Sequence, residues 1–140
     1  MSEDPYHLQR FLDAQLGVYA QAEAELRAGC KQTHWMWFIF PQITGLGTSA
    51  TARKFAISSL DEAKSFLQHP LLGPRLRECT RLVTAVRGKS IEAIFGHPDD
   101  LKFHSSMTLF ARAAVDNQIF VDAIKKYFGA RFDGATIARL

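Results

Sequence analysis

The sequence predicts an all-α protein, a compact multihelical array of about seven to nine helices in a single domain. Three observations carry this expectation. Apolar residues recur at spacings of three and four along most of the chain, the period that gathers them on one helix face. Glycine, proline and capping residues bound those runs, and strand signals are scarce. With 140 residues, 47% of them apolar, and 11 Phe, 3 Tyr and 2 Trp, the chain suffices for one sizeable core. The same composition excludes disorder, which needs low hydrophobicity and high net charge. Nine glycines and five prolines exclude collagen-like and linker-rich chains. Residues 1–140 are therefore read as one all-helical domain without repeats or low-complexity segments.

Asp4 before Pro5 opens the first helical stretch, because its carboxylate can cap N–H groups where proline needs no cap. Leu8, Leu12, Gln15, Tyr19, Ala22 and Leu26 follow, Gly29 stops the run, and Gly17 is where it can split in two. Trp35 to Phe40 is apolar all round and reads as a buried segment of either type, the best strand candidate in the chain. Thr48 or Ser49 caps a short helix through Phe55. Ser59 with Glu62 makes a capping box for a helix carrying Leu60, Ala63 and Leu67, stopped near His69-Pro70. Leu72, Leu76, Cys79, Val83 and Val86 mark a long helix opened by Gly73-Pro74 and closed by Gly88. Ser90 caps Ile91–Phe95 before Gly96. Pro98-Asp99-Asp100 precede the stripe Phe103, Met107, Phe110 and Ala114, with carboxylates where a helix N-terminus favours them. Phe120, Ile124, Tyr127 and Phe128 run to Gly129, with Asp122 favourably ahead of Lys125 and Lys126. Asp133 starts a last helix through Ile137 to Leu140.

The opening residues Met1-Ser2-Glu3-Asp4-Pro5 carry no basic region and no apolar stretch behind them, so a cytoplasmic location is expected. The longest apolar run, Trp35 to Phe40, is six residues, against ~20 for a membrane helix, and no membrane partner is expected. Cys30 and Cys79 form no Cys-x-x-Cys pair and read as reduced thiols. Net charge is +3, unevenly spread: residues 1–28 carry −3, and residues 101–140 carry +3. Residues 29–60 hold Lys31, Arg53 and Lys54 and no acid, which makes a surface attractive to anions unless the segment is simply buried. Arg75, Arg77 and Arg81, with Arg87 and Lys89 beyond, raise the question of nucleic acid. Glu78 interrupts that row and no recognition motif accompanies it, so it reads as a solvated helix face and nucleic acid is not an expected partner.

Two blocks break the amphipathic routine. The first, Lys31-Gln32-Thr33-His34-Trp35-Met36-Trp37-Phe38-Ile39-Phe40-Pro41-Gln42, holds both tryptophans and leads into Gly45-Leu46-Gly47. Indole rings suit a pocket wall as well as a core. His34 can act as an acid or base near neutrality, or serve as a hydrogen-bonded structural residue. Gly45-Leu46-Gly47-Thr48-Ser49 lacks the lysine of a Walker A loop. A helix cap explains it, although a glycine loop with Arg53 and Lys54 one turn on is also a reasonable anion site. The second block runs from Asp99 to Phe110. On a helix, Lys102, Ser105, Ser106 and Leu109 share a face opposite Phe103, Met107 and Phe110. A buried, neutral Lys102 would make a serine–lysine pair with Ser106; otherwise the face is solvated and its hydroxyls bond back to the backbone. No catalytic residue is assigned. His7, His34, His69, His97 and His104 have no i, i+4 partner and no His-Glu-x-x-His arrangement, so neither metal nor cofactor is expected.

The strings His34-Trp35-Met36-Trp37-Phe38-Ile39-Phe40-Pro41-Gln42, Gly45-Leu46-Gly47, Leu72-Gly73-Pro74-Arg75-Leu76, Ile94-Phe95-Gly96 and Ser105-Ser106-Met107-Thr108-Leu109-Phe110 resemble a bacterial family. It is a domain of unknown function often labelled "calpastatin", and the likeness runs roughly from Leu8 to Phe128. The resemblance implies a small, all-helical protein and supplies no activity, cofactor or site residue. Thr33 stands where the pattern has serine and Phe55 where it has tyrosine, which removes a hydroxyl from the second position. The label itself conflicts with composition, because calpain-inhibitor repeats are disordered and polar and this chain is 47% apolar.

Two function classes follow. One is a binding or accessory module that engages a protein partner, since no catalytic constellation is present. The other is a small-molecule enzyme or ligand-binding domain for an anionic, nucleotide- or phosphate-containing metabolite. Its candidate pocket residues are Lys31, His34, Trp35, Trp37, Gln42, Lys102, Ser105 and Ser106, because a few polar groups among aromatic walls are what small-ligand sites present. His34 and Lys102 in one cleft would favour the pocket; opposite faces would end it.

Overall fold

Side-chain caps start four of the ten helices in the computed structural model, which describes residues 3–140. α1 (Gln9–Gln15) and α2 (Tyr19–Arg27) are the two halves of the first periodic stretch, parted at Gly17, whose φ is +75°. Asp4 acts one turn ahead of α1: its carboxylate accepts the Leu8 and Gln9 N–H groups at 2.7 and 2.9 Å. The Trp35–Phe40 run closes a helical turn, α3 (Met36–Ile39), rather than a strand. Ser49 caps α4 (Ala50–Lys54), accepting from the Ala52 N–H at 3.1 Å.

Ser59 caps α5 (Leu60–Gln68) through the Glu62 N–H, but the reciprocal half of the expected box is not made. The Glu62 carboxylate instead takes the Ser58 N–H and hydroxyl, at 2.9 and 2.7 Å, and the Arg10 guanidinium at 2.9 Å. α6 (Leu72–Ala85) is followed by α7 (Ile91–Phe95), capped by Ser90 and ended by Gly96. α8 (Asp99–Ala113), α9 (Gln118–Phe128) and α10 (Gly134–Ile137) complete the chain, with Gly129 left-handed after α9 and Asp133 capping α10. Ten helices are thus found among the described residues, and no strand; the count passes nine because the Trp35–Phe40 run, which suits either type, is helical. Ile43 and Ile57 form one isolated parallel bridge.

α8 is the central helix, packed by α5, α7, α9 and α10, while α6 packs on α2, α3, α5 and α9. That environment corrects the expectation of a solvated face on α8. Ser105, Ser106, Thr108 and Leu109 are buried along with Phe103, Met107 and Phe110, because neighbouring helices cover both sides. Aromatic rings link the layers. Trp35, Phe40, Phe95 and Phe103 lie in one group with centroids 5.0–6.3 Å apart, and Phe11, Phe66, Phe110 and Phe120 in another at 5.0–6.0 Å. Such pairs add about 0.5–1.5 kcal/mol each beyond the area they bury. Cys79 is buried and Cys30 half-buried, both as free thiols. Among the described residues, no helix is long and apolar enough to cross a membrane, and no three metal-ligating side chains converge.

Candidate functional site

The tryptophan block is positioned by a carboxylate at the end of α2. Glu25, only 5% exposed, accepts the backbone N–H groups of Gln32 and Thr33 at 2.7 and 2.9 Å and the Thr33 hydroxyl at 2.6 Å. It also accepts Trp35 Nε1 and Gln21 Nε2, each at 2.9 Å. Burial alone would raise the pKa of this carboxyl; the Thr33, Gln32 and Gln21 donors outweigh it and hold the group at about 2. A charged acceptor with this many donors fixes the Lys31–Trp35 segment.

Lys31 is thereby aimed at the start of α8. Its backbone N–H donates to the Ile94 carbonyl at 2.8 Å, and its ammonium meets Asp99 Oδ2 at 2.9 Å, 5.2 Å above the Trp35 ring. The second oxygen of Asp99 lies 3.4 Å from Lys102 Nζ, which sits 5.1 Å above the Trp37 ring. Two lysine–indole stacks thus share one carboxylate. The Lys31 side chain is 7% exposed and that of Lys102 is 27% exposed.

Lys102 opens onto a groove of about 400 Å³ between the loop after α3, the outer edge of α8 and the turn into α10. Gln42, Leu46, Gly47, Pro98, Leu101, His104, Ser105, Asp133 and Ala135 complete its lining. The C-terminal wall is tied down at several points. His104 Nε2 is 2.7 Å from the Arg131 carbonyl, its ring stacked 3.9 Å from Phe128. The Asp133 N–H donates to Thr108 Oγ1 at 2.9 Å, and Asp133 Oδ2 accepts the Ser105 and Thr136 hydroxyls at 3.1 and 2.6 Å. Arg139 reaches back to the Gly45 carbonyl at 3.4 Å.

Of the eight residues singled out in the sequence, Gln42, Lys102 and Ser105 line this groove. Trp37 lies under the Lys102 ammonium, and Lys31 stands behind it across Asp99. The other three lie elsewhere. Trp35 and Ser106 are fully buried, and His34 is exposed outside the lining, so His34 and Lys102 do not share this cleft. Lys102 is ion-paired and the Ser106 hydroxyl has no hydrogen-bond partner at all, so no serine–lysine pair exists. The glycine loop is an ordinary helix entry whose Arg53 guanidinium is spent on the Thr48 carbonyl, at 2.9 and 2.5 Å.

Sequence reasoning missed Asp99, His104 and Asp133 as parts of the site. The i, i+3 spacing of Asp99 and Lys102 was the one local signal available. His104 stands on α8 beside Ser105, and Asp133 joins from the C-terminal turn, which spacing does not reveal.

No curated protein matches this chain. It is similar to the crystal structure of the conserved hypothetical protein Rv1873 from Mycobacterium tuberculosis, with 59% identity, 98% of both chains covered and a TM-score of 0.97. The profile of a family described as "Protein of unknown function (DUF1810)" matches residues 5–140, and the chain belongs to that family.

Proposed function

We propose that this protein is a binding module whose groove beside α8 holds the anionic group of a small molecule, without catalysing its conversion. The observation that carries this reading is Lys102, an ammonium held over an indole at the wall of an otherwise mostly neutral groove. Leu46, Leu101, Pro98 and Ala135 supply apolar contact, while Gln42 supplies a hydrogen-bonding group. The Asp133 carboxylate in the same groove is engaged by Ser105 and Thr136. A catalytic role lacks a nucleophile held by a base: Ser105 is bonded to Leu101 and Asp133. Thiols at Cys30 and Cys79 suit a reducing compartment, so the cytoplasm of a bacterial cell is the proposed location. Calpain inhibition is not proposed, because a packed aromatic core is the opposite of a flexible polar repeat.

A second reading, a protein partner, draws on Leu16 and Leu71, which are 82% and 49% exposed beside a separate groove near Tyr19 and Arg75. A thermal-shift series with ADP, ribose 5-phosphate, inorganic pyrophosphate and uncharged adenosine separates the two. A ligand at 100 times its Kd stabilises the folded chain by about 2.7 kcal/mol. The anionic compounds are expected to raise the Tm of the native chain, adenosine to leave it unchanged, and Lys102→Gln to abolish the rise. A flat response throughout, or an equal rise in Lys102→Gln, would remove the anion reading.

A further inference from the structure

We infer that Asp99 is the resident counter-ion of the groove and that an incoming anion displaces it from Lys102, while Lys31 keeps it paired. This inference rests on the groove being an anion site and says how that site is held ready and how its affinity is set.

The geometry of the three charges carries it. Asp99 gives one oxygen to each lysine, and the two contacts are unequal. The Lys31 contact is short, 2.9 Å, and its side chain is 7% exposed; the Lys102 contact is 3.4 Å, with a side chain 27% exposed. Attraction between opposite charges weakens with separation and with access of water. The weaker half of the triad is therefore the half that faces the groove.

Exchange at Lys102 strands no charge. Asp99, a half-buried carboxylate, retains Lys31 when Lys102 turns to a ligand, so it is not left without a partner. The Trp37 ring beneath the ammonium holds Lys102 at the groove wall in either state. Lys31 thereby becomes a positioning residue. It lies behind Asp99, outside the groove lining, yet it decides how firmly Asp99 competes for Lys102.

The three substitutions move affinity in different directions, which a merely structural role would not do. Titration calorimetry with inorganic pyrophosphate reads them. Lys31→Met leaves Asp99 wholly dependent on Lys102, and pyrophosphate is expected to bind about two- to fivefold more weakly, the range of one partly exposed ion pair. Asp99→Asn frees Lys102, and binding is expected to tighten by a similar factor. Because Asp99→Asn leaves Lys31 buried without a partner and can fail to fold, the double variant Lys31→Met/Asp99→Asn accompanies it; it carries no unpaired buried charge and is also expected to tighten. Weakening in Lys31→Met with tightening in either Asp99 variant supports the exchange. Native affinity that is unchanged in Lys31→Met, or lowered in the folded Asp99 variants, overturns the exchange and leaves the anion site standing. Absence of pyrophosphate binding to the native chain overturns both.

Discussion

Glu25 accepts five hydrogen bonds from Gln21, Gln32, Thr33 and Trp35 while almost excluded from water. Its carboxyl titrates at about 2 in the folded chain, against an ordinary 4.5. A folded-state pKa below the unfolded one contributes stability that is complete above the unfolded value and vanishes as pH falls through the folded one. The window is therefore from about pH 4.5 down to about pH 2. Glu25→Gln is expected to cost about 2–3 kcal/mol at neutral pH, since an amide cannot satisfy the same set of donors. Urea unfolding at several pH values checks this: the native chain should weaken through that window, and Glu25→Gln should lack this component of the loss. Ser106 presents the opposite situation, a hydroxyl fully buried without a partner. Ser106→Ala is expected to leave stability unchanged or raise it by about 1 kcal/mol, because it removes an unmet polar group. The same variant should bind pyrophosphate as the native chain does, and lost binding would return Ser106 to the site.

Between elements, α5 and α6 approach closely at Gly73. A Cβ placed on Gly73 would lie 2.0 Å from the Leu67 carbonyl oxygen, a backbone atom that cannot move aside. Gly73→Ala is expected to cost about 3 kcal/mol, at the upper end of overpacking, measured by thermal unfolding. A near-neutral result would mean that the two helices are not held as closely as described. Part of this level was legible in the sequence because caps act within one turn, and four helices start on one. Ser49, Ser59, Ser90 and Asp133 cap the helices that their spacing indicates, and Gly129 ends α9. What was not legible was decided by distant partners. Glu62 has the right spacing for a reciprocal box with Ser59, but Arg10 and Ser58 claim its carboxylate. Trp35–Phe40 has no polar position to betray its period, so only its packing against Phe95 and Phe103 resolves its type.

At the scale of the molecule, the groove forms where the loop after the tryptophan block, α8 and the C-terminal turn meet. The two aromatic-rich blocks announced two of these three parts, and Lys102, Ser105 and Gln42 do line the groove. The C-terminal part was silent, since Asp133 and Arg131 meet Ser105, Thr108 and His104 of α8 through contacts that no local pattern encodes. The acid-free stretch of residues 29–60 was half informative. Its Lys31 is paired with Asp99 from α8, its Arg53 folds back on its own loop, and its Lys54 ammonium lies 5.3 Å from the Phe55 ring centroid, so the stretch presents no cluster of free cations. Backbone amide chemical-shift mapping during titration with inorganic pyrophosphate tests the anion site at Lys102 most directly. Shifts are expected to concentrate at Gln42, Leu46, Lys102, His104 and Ser105 and to be lost in Lys102→Gln. Shifts centred instead on Leu16, Tyr19 and Arg75, or scattered over the basic surface at random, would contradict it.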